Sequence, residues 1–512
     1  MAVDIDLRDL MSKEELLDRV NKMNALGPRF TGNSAHNAFI EKIKKEIEEM
    51  GLPVFEDKKT FFRWEEKCSS LVIHSENGDI PIPVSSAYPY SGFTGEDGVR
   101  GRLEIIVDKR LGFLTHARDK ICVCRVSNLE VPTILVEDRR SSKPEDTDLP
   151  RHYGGPVITT FANFPLLKVA KMSGAKAVVC IWSGFSDESV QGQYLPFILD
   201  YQGMPAVWVN PSQGKKLIKA AKQGCEATLT LTAETQNDAP TKTIYSVIKG
   251  EDKRECIIIN THTDGVNCVE ENGPIALLSM MRYFKTHRPR RNMIFVFMTG
   301  HFRLPALKAP GAIQCTSRWL EDHKELWDGE EGHLYAVGAL TLEHLGCKEY
   351  SDTVSHTAYV YSNPIDIEMC YTSNEAVDRI YYKALEGREK VRTVTYRGCN
   401  ALHFGEGQPL FDVGIPTIAL VPGPGWLCVV DKENSCMDKF DPELMELQTQ
   451  TFTKAAVIMD ETPAHELGRA DGYSFGIIKK VGISETIKNA ADDIEHIKED
   501  IAEKIEEIRE KL

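Results

Sequence analysis

CIIINTHTD, residues 256–264, is an apolar run without alternation that ends in a histidine and an aspartate. It is too continuous for a strand with one wet face and too short for a buried helix. It reads as a parallel strand covered on both sides. Three further segments have the same character: NMIFVFMTG (292–300), LYAVGALTL (334–342) and IPTIALVPG (415–423). Helical text separates them, including GPIALLSMMRYFKTH (273–287) directly after the first. The alternation predicts an α/β fold, a mostly parallel mixed sheet sandwiched by helices.

Upstream, Ser12 opens an S-x-x-E capping box before Leu16, Leu17, Val20 and Met23 at helical spacing. GPRFTGN breaks that pattern, and a second helix then carries Phe39, Ile40, Ile43 and Ile47 to a stop at Gly51. Residues 85–240 change texture, with short strand-like runs (LEIIV, KICVCRV, AVVCIW, MPAVWVN) among Gly, Pro, Ser and acidic turns. They read as a β-rich inserted module with a few helices, such as FPLLKVAKMSG and PSQGKKLIKAAKQG, whose exit linker is the polar TAETQNDAPTKT, 232–243. At the other end, Ile487, Ile494, Ile501 and Ile508 recur in seven-residue steps on a highly charged helix. A stripe that narrow suits a partner helix and implies a homo-oligomer, most simply a dimer. The division expected is 1–84, an insert at 85–240, 241–465, and a terminal helix in 466–512.

At 512 residues, 42% hydrophobic and 27% charged, the chain is long enough for several globular units. Sixty-one basic against 76 acidic residues leave a net charge of -15, which argues against nucleic acid and anionic membrane surfaces. No apolar run approaches the roughly 20 residues of a membrane span, and MAVDIDLRDL has no secretory character. Thirteen cysteines in no regular spacing, Cys122-Val-Cys124 the only close pair, read as reduced thiols of a cytoplasmic protein.

In open parallel sheets ligands bind beyond the carboxyl ends of the strands. There the sequence places His262 and Asp264, then Glu270-Glu271-Asn-Gly, then His301, then Glu343-His344, with His403-Phe-Gly-Glu406-Gly407 before the last strand. Each alone has an ordinary structural explanation. Imidazoles and carboxylates together at three neighbouring strand ends are ligands for a zinc-like dication.

The order of pieces resembles the zinc aminopeptidase family over about 12–465: GPRFTGNSAHNAFIEKIKKEIEEMGL, an insert, then HTD, the acidic-Asn-Gly, TGHF, LEHLG and FDVGIPTIALVPGP. The family includes glutamate carboxypeptidase and the non-catalytic transferrin receptor. The insert resembles the protease-associated domain, best in GGPVITTFANFPLLKVAKMSGAKAVVCIW, 154–182. The resemblance implies two metal ions bridged by a carboxylate. His262 matches the histidine of the H-x-D motif and Asp264 the aspartate that supports it. Glu271 matches the bridging aspartate and Glu343 the strand-end aspartate of the same ion. The other half departs. The general base and the second-metal ligand fall on His301 and Phe302, and the last histidine falls on Gly407.

The resemblance therefore implies one divalent transition metal on His262, Glu271 and Glu343. Zinc comes first; manganese, cobalt or iron are open. His301 is general base or fourth ligand. His344 is expected to point away, because adjacent strand residues face opposite sides. His403 and Glu406 are outside candidates, and Tyr359, Tyr361 and Arg397 are candidate pocket residues. The expected function is a metal-dependent hydrolase of a peptide or small amide. A non-catalytic binding relative and a non-hydrolytic mononuclear metal enzyme are the alternatives.

Overall fold

The computed structural model describes residues 5–109, 111–133, 139–145, 147, 152–162, 166–398 and 403–471. The expected heptad helix at 484–512 lies outside them. Four parallel strands stand side by side in the order Asn292–Met298, Glu255–His262, Tyr335–Leu342, Thr417–Leu420. These are the four apolar segments of the sequence. The first three are buried along nearly their whole length, as a sheet with helices on both faces requires. Glu368–Thr372 and Thr393–Tyr396 extend the sheet, and Arg139–Lys143 closes its far edge antiparallel.

The Lys13–Asn24 helix begins with the expected capping box: the Ser12 hydroxyl accepts from Glu15 N–H, and Ser12 N–H donates to the Glu15 carboxylate at 2.9 Å. The Ser34–Glu49 helix buries Phe39, Ile40, Ile43 and Ile47. Gly273–Thr286 follows the first strand with Pro274 in its first turn, where a missing N–H costs nothing. Its residues from Gly273 to Met281 are all buried. It packs in one apolar core with both N-terminal helices and the long Pro442–Glu461 helix.

Residues 85–240 depart from the expectation in two ways. Gly95–Ile106, Lys120–Ser127, Ala177–Ser183 and Ala206–Val209 are mutually parallel, with helices in the first two connections, so this segment is itself α/β. TAETQNDAPTKT is not a linker. It is the middle of Glu226–Ile248, a 23-residue strand paired with Phe55–Ser75 along almost its full length. Its polar, exposed stretch at 234–238 hid the pairing in sequence, because a two-stranded ribbon buries little there. Through this strand the parallel strands within 85–240 and the central parallel strands belong to one sheet. Among the described residues no helix is long and apolar enough to cross a membrane, and all twelve cysteines are free thiols.

Candidate metal centre

His262 is the last residue of its strand, at the carboxyl edge of the parallel set. Its Nδ1 lies 2.9 Å from the main-chain oxygen of Asp264. A carbonyl only accepts, so this contact assigns the proton to Nδ1 and the lone pair to Nε2. Nε2 is buried and has no hydrogen-bond partner. His344 repeats the arrangement, with Nδ1 2.7 Å from the Pro422 oxygen and Nε2 buried and unpartnered. Glu270 Oε2 is a third such atom, and Glu270 Oε1 lies 3.9 Å from His344 Nε2. One ligand atom each from His262, Glu270 and His344 lie within 4.8 Å of one another.

Burial sets the charge state of the three. It holds the His262 imidazole far below its ordinary range, helped by His301 and His344, and takes His344 down to about 3. It pushes the Glu270 carboxyl well up. Two neutral imidazoles with free lone pairs beside a carboxylate starved of positive charge are the donor set that a dication satisfies.

Around this trio stand the residues expected from the resemblance. Glu271 is buried and ion-paired with Arg29, leaving Oε2 without a hydrogen-bond partner. Glu343 Oε1 accepts from Glu406 N–H at 2.6 Å, and Oε2 is again buried and unpartnered. Burial, with the Glu406 charge, raises Glu343 to about 7. The His301 ring stacks on His262 at 4.1 Å, and its Nδ1 is 3.1 Å from Glu406 Oε1. Burial lowers His301, but the hydrogen bond to Glu406 and the charges of Glu270, Glu406 and Glu343 outweigh it, giving about 9. Glu406 also takes Thr316 N–H at 2.7 Å and the Thr316 hydroxyl at 2.8 Å.

Asp264 acts on the neighbouring turn. Its carboxylate accepts from the N–H groups of Gly300 and His301 at 3.2 Å, Phe302 at 2.9 Å and the Thr31 hydroxyl at 2.5 Å. It fixes the His301 turn, while its main-chain carbonyl fixes His262. Two glycines make room for the carboxylates. A Cβ at Gly265 would overlap Glu271 Oε2 and come within 2.5 Å of Glu270 Oε2. A Cβ at Gly405, whose φ is +77°, would lie 2.5 Å from Glu343 Oε2.

His344 does not point away. The strand ends at Leu342, and His344 takes a left-handed φ of 57°, so strand alternation no longer governs it. His403 stays apart, stacked on Tyr371 at 4.1 Å with Nδ1 on the Phe404 oxygen. Tyr359 lines a separate cavity, Tyr361 is exposed on a hairpin, and Arg397 follows the Thr393–Tyr396 strand near Arg140. Sequence reasoning passed over Glu270, although its neighbour was chosen, and Arg29, for which GPRF carried no charge-pair signal.

No protein-family profile matches this chain, and no curated protein matches it in sequence. Solved structures do match. BSAP, a zinc aminopeptidase from Bacillus subtilis, is 17% identical with a TM-score of 0.61, over 90% of this chain and 98% of that one. A peptidase M28 precursor from Shewanella amazonensis SB2B is 13% identical with a TM-score of 0.60, over 87% and 93%. An aminopeptidase from Aneurinibacillus sp. strain AM-1 is 15% identical with a TM-score of 0.55, over 92% and 98%. At these identities the likeness establishes the fold.

Proposed function

We propose that the chain is a metal-dependent hydrolase of a peptide or small amide, working with one divalent ion, zinc in the first instance. His262 Nε2, His344 Nε2 and a Glu270 oxygen would hold the ion. The observation that carries this reading is the pair of imidazoles pinned by carbonyls, each offering an unpartnered Nε2 beside an unpartnered carboxylate oxygen. A carbonyl on the far ring nitrogen is the usual orienting partner of a metal-binding histidine. Three protein donors leave a position open, as a catalytic site needs.

When bound, a dication supplies Lewis acidity to an amide carbonyl and to an attacking water. The chain's own groups handle the protons. His301, raised by Glu406, carries a proton at neutral pH and stands ready to give it to a leaving amine. Glu343 Oε2, on a carboxyl raised to about 7, is matched to accept one from water. Asp264 keeps the His301 turn in place. The use of a single ion is supported by what fills the other half. Phe302 packs against Tyr194 at 5.8 Å and Phe197 at 4.7 Å, and a Cβ at Gly407 would lie 2.6 Å from Ala419. The insert, which we read as protease-associated, roofs the centre by placing Phe197 5.4 Å from His301.

Elemental analysis of protein purified with added metal, paired with a peptide and amide library, tests the reading. One ion per chain is expected, lost in His344→Ala and Glu270→Gln. Glu343→Gln is expected to keep the ion and lose turnover. Two ions overturn the single-ion reading, and none favours a non-catalytic binding protein. Retention in His344→Ala with loss in Glu271→Gln and Glu343→Gln returns the ligand set to His262, Glu271 and Glu343.

A further inference from the structure

A cavity of about 640 Å³ lies between the insert and the carboxyl edge of the sheet, within the size range of small-molecule sites. Its walls carry the carboxylates of Glu130, Glu349, Asp352 and Asp366, and no lysine or arginine lines it among the described residues. Three of the four carboxylates have side-chain partners: the Asn128 amide donates to Glu130 at 3.5 Å, His356 Nδ1 lies 3.5 Å from Asp352, and Asp352 and Glu349 have further partners. Asp352 accepts from Ser186 N–H at 2.9 Å and from the Ser186 and Ser189 hydroxyls, stapling the insert to the Glu349–Asp352 strand. Glu349 pairs with Arg392 at 3.1 Å.

Asp366 is different. It is only 9% exposed, its carboxylate is held by the Ile367 N–H, and it joins no ion pair among the described residues. Burial, with the Glu349 charge beside it, raises the carboxyl to about 8. The fold thus keeps a buried acid at the cavity wall with no ion-pair partner of its own: Arg392, already paired with Glu349, offsets the shift only in part, and a cationic ligand would complete the compensation. The wall also presents the rings of Tyr153, Tyr350 and Tyr359, and the Tyr359 hydroxyl is buried without a partner. Two of these rings already attract a cation: Lys439 Nζ is 5.4 Å from the Tyr350 ring and 5.9 Å from that of Tyr359.

We propose that this cavity binds an organic cation, an ammonium or guanidinium on an aliphatic stem such as a lysine or arginine side chain, with Asp366 as its counter-charge and the tyrosines as its walls. The cavity adjoins the metal centre through the chain. Pro422, whose carbonyl orients His344, continues into Gly423, Pro424 and Gly425 of the cavity wall. A basic side chain held there would therefore select basic substrates. That second step rests on the hydrolase reading; binding does not.

The test compares arginine amide with its neutral isostere citrulline amide by titration calorimetry on the full-length, metal-loaded protein. Arginine amide is expected to bind at least roughly ten-fold more tightly, and D366N, which keeps the shape and removes the charge, is expected to erase the difference. Equal affinities, or no binding of either below about 1 mM, overturn the proposal on wild type alone, whatever the variant's stability. A preference that survives in a folded D366N also overturns it. Arginine amide binding without turnover of any basic peptide would sink the hydrolase reading and leave the cavity site standing. Turnover without arginine amide binding would do the reverse.

Discussion

Arg29 and Glu271 form a charge pair with both side chains fully buried, which makes the ion pair measurable. Arg29 also donates to the oxygens of Met23 at 3.2 Å and Asn267 at 2.6 Å, and to that of Gly27. Arg29→Met would leave a buried carboxylate with no cation, a loss of about 3–5 kcal/mol. Glu271→Leu would strand the guanidinium at similar cost. In the double variant neither charge remains, and the residual loss is mainly three carbonyls without donors, about 3 kcal/mol at roughly 1 each. The single losses sum to about 8 kcal/mol, so the expected coupling is about 5. With a urea m-value of about 3 kcal/mol/M, each single variant should lower the midpoint by about 1.3 M and the double by about 1 M. Tryptophan fluorescence in EDTA reads this without a contribution from bound ion. A double variant that loses the full sum refutes the argument, because Glu271 would then draw its stability from elsewhere.

Gly265→Ala adds one methyl where Glu270 and Glu271 converge and removes no donor atom. It should cost about 1–3 kcal/mol and lower metal content, and an unchanged metal-to-protein ratio would contradict the assigned crowding. Asp366 titrates near 8 in the folded chain against an ordinary 3.8, so between those values the folded state holds the extra proton. Stability should therefore fall as pH rises through that window, by roughly 6 kcal/mol at the outside. D366N should flatten that slope in melts from pH 4 to 9, and an unaltered slope would show that the acid is not buried. The proposed pairing through the isoleucine stripe predicts that a chain ending at 471 has half the light-scattering mass of the full chain; an equal mass removes that role.

The four strands were legible because burial on both faces demands continuous apolar text, and CIIIN or NMIFVF suits little else. The ribbon of Phe55–Ser75 with Glu226–Ile248 was not legible, since its exposed middle reads like a linker and its pairing is long-range. The site divided along the same line. His262 follows directly from the end of a strand. His344 was lost to an alternation rule that stops at Leu342, and only the φ of 57° turns it inward. Glu270 and Glu271 are adjacent and chemically alike, so no local pattern shows which one answers Arg29. The partner sits 242 positions away in the chain.

Phe302 links two features that the sequence presents as separate, the His301 turn and the 85–240 segment. It is fully buried between Tyr194 and Phe197 of the insert, and the Tyr90 hydroxyl donates to its main-chain oxygen. A carboxylate at that position would need a cation or several donors to enter such surroundings. An aromatic side chain instead lets the insert seat dry against the His301 turn. Once seated, Phe197 lies over His301, and the low dielectric strengthens each charge interaction beneath it. The pull of Glu406 on His301 and the shift of Glu343 toward neutrality both depend on that exclusion of water. By this reasoning the apolar side chain at position 302 and the perturbed proton affinities belong together: the dry contact it makes supports the closed, water-poor setting in which the neighbouring acids and histidines are tuned.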